Sequence, residues 1–528
     1  MELEKLIKTE RTSKPSVAET HDVLFASSEV APYSKTGGLA DVAASLPAAL
    51  NARGHRVSII TPLYKHLDPE ELQLSRRLKP LEVPRLGKVR SKVEATVWEG
   101  RTQNGVRIFF IEQDDFFGAD GTLYGYEDGG SEDIPARFSF FSRAIIEFAL
   151  QYSVPVDVIH CNDWHTALAP IYRDHYFQDE LGDVAMVLTI HNMAFQGKFD
   201  AEAMSQIGLP KKFYKAGELR QGDQINFLQG GIVHADRITT VSPTYAEEIQ
   251  TAEGGFGLEE ILSENADKLT GVLNGADYTV WSPDVDHHIE VNYDLERLNG
   301  KRQNKAELQH MFKLPIRPTL PMVAFIGRLT EQKGLDILLP AAEQLMESFE
   351  DDREGFQLLF LGEGDDGYGE KVSELAARFP KRVAAHVGYS EDLAHKLQAG
   401  SDLLVVPSRY EPCGLTQIYA MKYGTLPIVH ATGGLADTVI DPQHEGAQLE
   451  ADTSNEGEGD TDEILPTGFI FDNYDVDELR DTLMRATKRY RNYRKWRPLI
   501  SNAMKQDFSW GSSAEQYVEI YNNALERE

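Results

Sequence analysis

Short apolar runs separated by helix-length stretches occur in two series, and this doubled alternation constrains the fold more than any other feature. The first series is DVLFASSEV from residue 22, RVSIITP from 56, VRIFFIEQD from 106, DVIHCND from 157, AMVLTIHN from 185 and DRITTVS from 236. The second is PMVAFIGRL from 321, FQLLFLGEG from 356, RVAAHVGYS from 382, DLLVVPS from 402, LPIVHATGG from 426 and GFIFD from 468. Runs that are apolar throughout, instead of alternating, are strands buried on both faces, and with helices between them they form parallel α/β sheets. Between the series lies WSPDVDHHIEVNYDLERLNGKRQNKAELQHMFKLPIRPTLP, which is polar, contains proline and has few strand signals. A chain of 528 residues exceeds what one core organises. The pattern predicts two Rossmann-like domains, at 21–282 and 319–500, joined by a linker or hinge at 283–318.

Composition narrows the partners. The chain has 53 basic and 84 acidic residues, a formal charge of −31, which repels nucleic acid and anionic membrane surfaces, so neither is an expected partner. No apolar stretch approaches the roughly 20 residues of a membrane helix. The opening MELEKLIKTERTSKPSVAET mixes acids with bases and lacks the apolar segment of a secretory signal, so residues 1–20 read as a disordered leader of a cytoplasmic protein. The two cysteines, Cys161 and Cys413, lie in different halves and in apolar contexts, which predicts reduced thiols and neither a disulfide framework nor a zinc site. An acidic stretch at 441–466, rich in serine and glycine, reads as a long surface loop.

Most charged or glycine-bearing signatures sit just after a strand, at the carboxyl edge where open α/β sheets bind ligands. KTGGLADV places Lys35 beside Gly37 and Gly38, and TGGLADT repeats the string at Gly433 and Gly434. Glycine pairs let backbone N–H groups at a helix start approach a polyanion, although a Gly-Gly pair also serves a tight strand-to-helix turn with no ligand. In FIGRLTEQKGLD, Arg328 follows a strand and Lys333 comes five residues later. A guanidinium fork and an ammonium point charge suit a diphosphate, while two solvated surface cations would look the same in sequence. PSRYEPCGLT puts Glu411 at another strand end, where it can accept hydrogen bonds from sugar hydroxyls or act as an ordinary first-turn helix acid. HCNDWH and TIHNMAFQG supply Asp163, His165, His191, Asn192 and Gln196. His165 reads as a hydrogen-bonded structural residue, whereas His191, flanked by amides, suits hydroxyl recognition. No HExxH, DxD or carboxylate cluster completes a metal site, so no metal and no cofactor are expected.

Taken together, SSEVAPYSKTGGLADVAASLPAAL, HCNDWHTALAP, TIHNMAFQG, TTVSPTYAEEI, GVLNGADYTVWSP, GRLTEQKGLD, PSRYEPCGLTQIYAMKYGTLPIV, TGGLADTV and DFSWGSSAEQYVEIY resemble glycosyltransferase family 5, the bacterial-type glycogen synthases and plant-type starch synthases. The matching segments run in the family's order from residue 22 to about 523. The resemblance implies a GT-B fold of two Rossmann-like domains facing a cleft, with a C-terminal helix, at 501–528, crossing back to the first domain. It implies a retaining enzyme that moves glucose from ADP-glucose to the 4-hydroxyl of an α-1,4-glucan, glycogen or starch. Lys35 with the Gly37 and Gly38 backbone then corresponds to a contact with the donor diphosphate, and Arg328 and Lys333 to the pair that neutralises it. Tyr389 matches the residue stacking on adenine. Cys413, Gly414, Leu415 and Thr416 match the turn around phosphates and glucose. Glu411 corresponds to the glutamate on the sugar hydroxyls, His191 to the residue at the 6-hydroxyl, Asp163 to an acceptor-side carboxylate and Asn274 to a further cleft residue. Many retaining GT-B enzymes carry a second glutamate eight positions after the first. Tyr419 stands there in this chain, as family 5 membership implies. A UDP-glucose-dependent GT-B transferase and a non-catalytic glucan-binding protein on the same scaffold remain as alternatives.

Overall fold

The computed structural model of the protein describes residues 20–84, 91–118, 123–124, 134–351, 353–444 and 465–526. The expected leader, apart from its last residue, and most of the acidic 441–466 stretch lie outside the described residues. Contacts divide the chain into two compact units. One comprises Met1–Leu188, Gly197–Asp236 and Val518–Glu528, the other Thr189–Gln196 and Arg237–Tyr517. Among the described residues no helix is long and apolar enough to cross a membrane.

The strands of the first unit are β1 (Asp22–Ala26), β2 (Arg56–Pro62), β3 (Ser75–Arg76), β4 (Leu81–Pro84), β5 (Lys92–Arg101), β6 (Arg107–Glu112), β7 (Val158–Asn162) and β8 (Ala185–Ile190). They lie in the order β8-β7-β1-β2-β6-β5-β3, with β4 also on β5. β1 runs parallel to both β2 and β7, with Val23 opposite Val57 on one side and Val158 on the other. Every residue of β1 and β7 is buried, which is why these strands show no alternation in sequence. The edge beyond β6 departs from the expected parallel pattern. β5 turns back through Thr102–Gly105 and pairs antiparallel with β6, and β3 and β4 pair antiparallel with β5. Only Ala95 and Val97 of β5 are buried, so the strand is half solvated and its apolar signal is too diluted to stand out. A small antiparallel sheet, in the order β10-β11-β9, is formed by β9 (Lys198–Asp200), β10 (Arg220–Gln221) and β11 (Gln224–Asn226).

In the second unit β12 (Arg237–Thr240) pairs parallel with β13 (Leu269–Gly271). The main sheet contains β14 (Met322–Ile326), β15 (Gln357–Gly362), β16 (Val383–Val387), β17 (Leu403–Val406), β18 (Leu426–His430) and β19 (Phe469–Phe471). Its order is β16-β15-β14-β17-β18-β19, and each neighbouring pair is parallel. This is the doubly wound order, whose topological switch point falls between β14 and β17. The core on one face joins Val323, Phe325, Leu358 and Phe360 of the sheet to Leu338, Leu345 and Trp496 of its covering helices.

The polar stretch read as a hinge carries a helix, Asn299–Met311. Two of its lysines are buried. Lys301 Nζ donates to Ala399 O, Tyr423 O and Thr425 Oγ1, and Lys305 Nζ reaches Asp402 Oδ2 at 2.5 Å and Leu320 O at 2.6 Å. A lysine-rich string looks solvated in sequence because its acceptors come from distant residues. At the C-terminal end, residues 501–505 close one helix, Tyr493–Lys505, and a second begins at Trp510. Trp510 occupies the space beside Gly275, where a Cβ would stand 2.5 Å from its Cα. Near the far end of that helix, in the first unit, Tyr521 meets His160 Nδ1 at 2.8 Å and Asn522 Oδ1 meets His21 Nε2 at 2.7 Å.

Candidate active site

In the second unit the switch point gathers the residues that the sequence places at strand ends. Arg328 and Lys333 lie in the turn that follows β14, and Glu411 in the turn that follows β17. Lys333 Nζ stands 2.5 Å from Glu411 Oε2, and the same oxygen accepts from the buried Ser408 hydroxyl at 2.8 Å. One carboxylate oxygen thus has two fixed partners, which sets the plane of the group. Gly334 makes the approach possible. Its φ is +82°, and a Cβ there would lie 1.9 Å from the carbonyl oxygen of Pro407. Gln332 braces the pair of turns, donating to Tyr410 O at 2.8 Å and accepting from Arg328 Nη2 at 3.0 Å.

Beyond Glu411 the chain passes through Cys413 and Gly414 to a helix, Thr416–Lys422, that Leu415 precedes. Gln417 Nε2 donates to the carbonyls of Cys413 and Gly414, at 3.0 and 2.8 Å. Burial pushes the Cys413 thiol up to about 12, against a hydrogen bond from the Asn274 backbone. Asn274 itself is buried, and its Oδ1 has no hydrogen-bond partner among the described residues. Gly433 and Gly434 pack on the same turn. A Cβ on Gly433 would stand 2.1 Å from Glu411 O, and one on Gly434 2.2 Å from Cys413 O. The Gly433 N–H donates to Glu248 Oε1 at 2.9 Å. Tyr389 lies on the loop after β16 and is exposed.

His191 opens a turn that ends at Gln196. Burial drives its imidazole down to about 3, so the ring is neutral at ordinary pH. Asn192 Oδ1 accepts from the Ala194 N–H, and Gln196 Nε2 donates to Met193 O at 2.9 Å and Phe256 O at 3.3 Å. Phe256 meets Tyr410 edge-on, with ring centroids 5.6 Å apart. The His191 turn and the Glu411 turn are therefore joined through one phenylalanine.

The first unit has its own switch point between β1 and β7, where Asn162 Nδ2 donates to Ala26 O at 3.0 Å. Asp163, at the end of β7, is buried and adopts a φ of +56°, unusual for a residue with a side chain. At the end of β1, Lys35, Gly37 and Gly38 are exposed, and nothing lies within 4 Å of a Cβ built on either glycine. Lys35 Nζ pairs with Asp41 at 2.8 Å. Below the loop, the buried carboxylate of Glu29 accepts from Thr36 N at 2.5 Å, Thr36 Oγ1 at 2.6 Å and Gly37 N at 3.3 Å, and from Tyr124 OH.

Glu29, Glu248, Gln332, Ser408 and Phe256 carry no role in the sequence reading. Glu29 had the best signal available, a carboxylate between a strand and a glycine loop in SSEVAPYSKTGG. Among the described residues no group of three or more histidine, cysteine, aspartate or glutamate side chains could hold a metal ion.

Known proteins are similar to nearly the whole of this chain. Residues 22–264 match the starch synthase catalytic domain family, and residues 307–502 match glycosyl transferases group 1. A glycogen synthase of Anaeromyxobacter sp. (strain Fw109-5) is 40% identical over 504 residues, 95% of this chain and 99% of that protein. One from Syntrophotalea carbinolica is 39% identical over 508 residues, 96% of this chain and 99% of that protein. The solved catalytic domain of starch synthase IV from Arabidopsis thaliana, bound to ADP and acarbose, superposes with a TM-score of 0.82 at 33% identity, covering 96% of this chain and all of that one. A sucrose-phosphate synthase from Thermosynechococcus elongatus, 18% identical with a TM-score of 0.58, shares the fold. The chain belongs to the glycogen synthase and starch synthase family of glycosyltransferases and has its two-domain α/β architecture of the GT-B type.

Proposed function

We propose that the protein elongates an α-1,4-glucan by transferring glucose from ADP-glucose to the 4-hydroxyl of the non-reducing end, with retention at the anomeric carbon. The bond from C1 to the diphosphate oxygen breaks, a bond from C1 to the acceptor oxygen forms, and the acceptor proton leaves with the diphosphate. The transition state carries positive charge on the sugar and negative charge on the departing group. Arg328, Lys333 and Lys35 neutralise the second of these, the guanidinium as a fork and the ammonium groups as point charges.

The observation that carries this reading is the Lys333–Glu411 pair at the switch point of the second sheet. With Oε2 held by Lys333 and Ser408, Oε1 of Glu411 serves as the acceptor for sugar hydroxyls. His191, neutral through burial, exchanges a hydrogen bond with the 6-hydroxyl without adding charge near the oxocarbenium. Tyr389 offers an exposed ring to adenine. Asp163 serves the acceptor side, and the Cys413–Thr416 turn with Asn274 surrounds the glucose and phosphates. Gly433 and Gly434 contribute by seating the Glu411 turn. The ADP in the starch synthase IV structure supports the adenine nucleotide as donor. Both cysteines are free and buried, which suits a reducing compartment and a cytoplasmic enzyme.

Incubation with labelled ADP-glucose or UDP-glucose plus glycogen, followed by counting label in alcohol-precipitable polymer, tests the reading. Incorporation from ADP-glucose is expected. No incorporation from either donor overturns the activity, and incorporation from UDP-glucose alone overturns the donor.

A further inference from the structure

Phe256 is one of four non-glycine residues with positive φ among the described residues. Its φ of +49° places a bulky side chain in the left-handed region, where glycine or asparagine would fit at lower cost. The surroundings hold it there. Gly257 continues the turn at φ +87°, its N–H donates to Glu259 Oε2 at 2.9 Å, and Gln196 donates to the Phe256 carbonyl at 3.3 Å. Gly254 and Gly255 leave no room for a side chain, since a Cβ would stand 2.3 Å from Glu248 O and 2.6 Å from Glu259 Cβ. A strained position that its neighbours over-determine is a mark of a functional one. Phe256 is 38% exposed, and it touches Gln196 in the turn that His191 opens and Tyr410 next to Glu411, the two residues assigned to glucose.

We propose that Phe256 is an acceptor-binding residue, a flat platform on which a glucose unit of the incoming glucan lays its apolar C–H face. This rests on the glucan-elongating reading above. The polar groups on either side read hydroxyls, and a sugar also presents a hydroxyl-free face that only an aromatic ring complements well. Its contact with Tyr410, 5.6 Å between centroids, fixes the ring's tilt next to the Glu411 turn.

The test compares Phe256→Ala, Phe256→Leu and Phe256→Tyr in the full chain. Steady-state kinetics supply the KM for glycogen and for ADP-glucose, and calorimetry supplies maltoheptaose binding without turnover. Phe256→Ala is expected to raise the glycogen KM and weaken maltoheptaose binding by about ten-fold, with the ADP-glucose KM unchanged and Phe256→Tyr restoring both. Phe256→Leu keeps the bulk and loses the flat face, so it carries the test if the alanine variant does not fold. An unchanged acceptor KM, or a shift in the donor KM in its place, overturns the proposal. Wild-type protein that binds maltoheptaose and transfers no glucose would overturn the enzymatic reading, a result distinct from equal binding by wild type and Phe256→Ala.

Discussion

The loops at 35–38 and 432–434 are built from nearly the same letters, and in each a buried or partly buried glutamate accepts from the glycine-turn backbone, Glu29 in the first and Glu248 in the second. What differs is the space around them. Nothing stands within 4 Å of a side chain added to Gly37 or Gly38, whereas Gly433 and Gly434 press against the carbonyls of Glu411 and Cys413. The second turn is also tied back by a reciprocal pair of caps. Asp437 accepts from the Thr244 amide and hydroxyl at the start of the Pro243–Glu248 helix, and Glu248 at the end of that helix accepts from Thr432 and Gly433. A glycine pair thus does one of two jobs. It opens a surface toward a ligand or it lets two backbones touch, and the letters alone do not say which.

If the first turn meets the diphosphate and the second only braces Glu411, cation removal separates activity from stability most sharply. Lys35→Ala, at an exposed pair, is then expected to lower kcat by about 10²–10³ while the melting temperature stays near that of the wild type, and Lys333→Ala to lower kcat at least as much and the melting temperature as well, because it leaves the buried Glu411 carboxylate without its cation. Wild-type turnover in either variant would break the assignment of that lysine to the diphosphate. The next largest effect is on stability. Gly433→Ala forces a methyl group to 2.1 Å from Glu411 O at a φ of +43°, and the backbone must shift to relieve it, at a cost of about 2–4 kcal/mol. Thermal melting reads that loss, and a wild-type melting curve would show that the second turn is not filled.

Acid sharpens the contrast from the side of the second unit. Burial lowers the His191 pKa in the folded protein from 6.5 to about 3. The unfolded chain therefore takes up a proton between those values and the folded one does not. The contribution is fully present above pH 6.5 and is lost as pH falls toward 3. Melting temperatures measured across that window should decline more steeply for the wild type than for His191→Asn. Parallel slopes would mean that the imidazole is not desolvated.

These contrasts mark how far the chain could be read from its letters. Both strand series and the strand-end positions of Arg328, Lys333 and Glu411 were legible because parallel strands are continuously apolar and the doubly wound topology puts ligands at one edge. The resemblance added roles for Tyr389 and Asn274 that no local pattern carries. Glu29, Ser408 and Gln332 escaped because each acts through a hydrogen bond whose partner is set by the fold. Phe256 escaped because positive φ at a phenylalanine has no sequence signature. The antiparallel β5 and the buried Lys301 and Lys305 were missed for the converse reason, since a polar-looking string can be half buried once distant acceptors reach it.

The smallest expected change discriminates most finely. Gly37 has φ −156° and ψ −164°, an extended conformation open to any residue, and no atom within 4 Å of a Cβ. Gly37→Ala should therefore leave stability within about 0.5 kcal/mol of the wild type, as surface substitutions without a steric conflict do. A methyl group there does occupy the approach to Lys35 and the Gly37 and Gly38 backbone. If that approach belongs to the diphosphate, the ADP-glucose KM rises while the glycogen KM and the melting temperature hold. This is the opposite pattern to Gly433→Ala, from the same substitution in the same short string. A donor KM that does not move would mean that the open face of the first turn takes no part in holding the donor, and the difference between the two turns would then be one of packing alone.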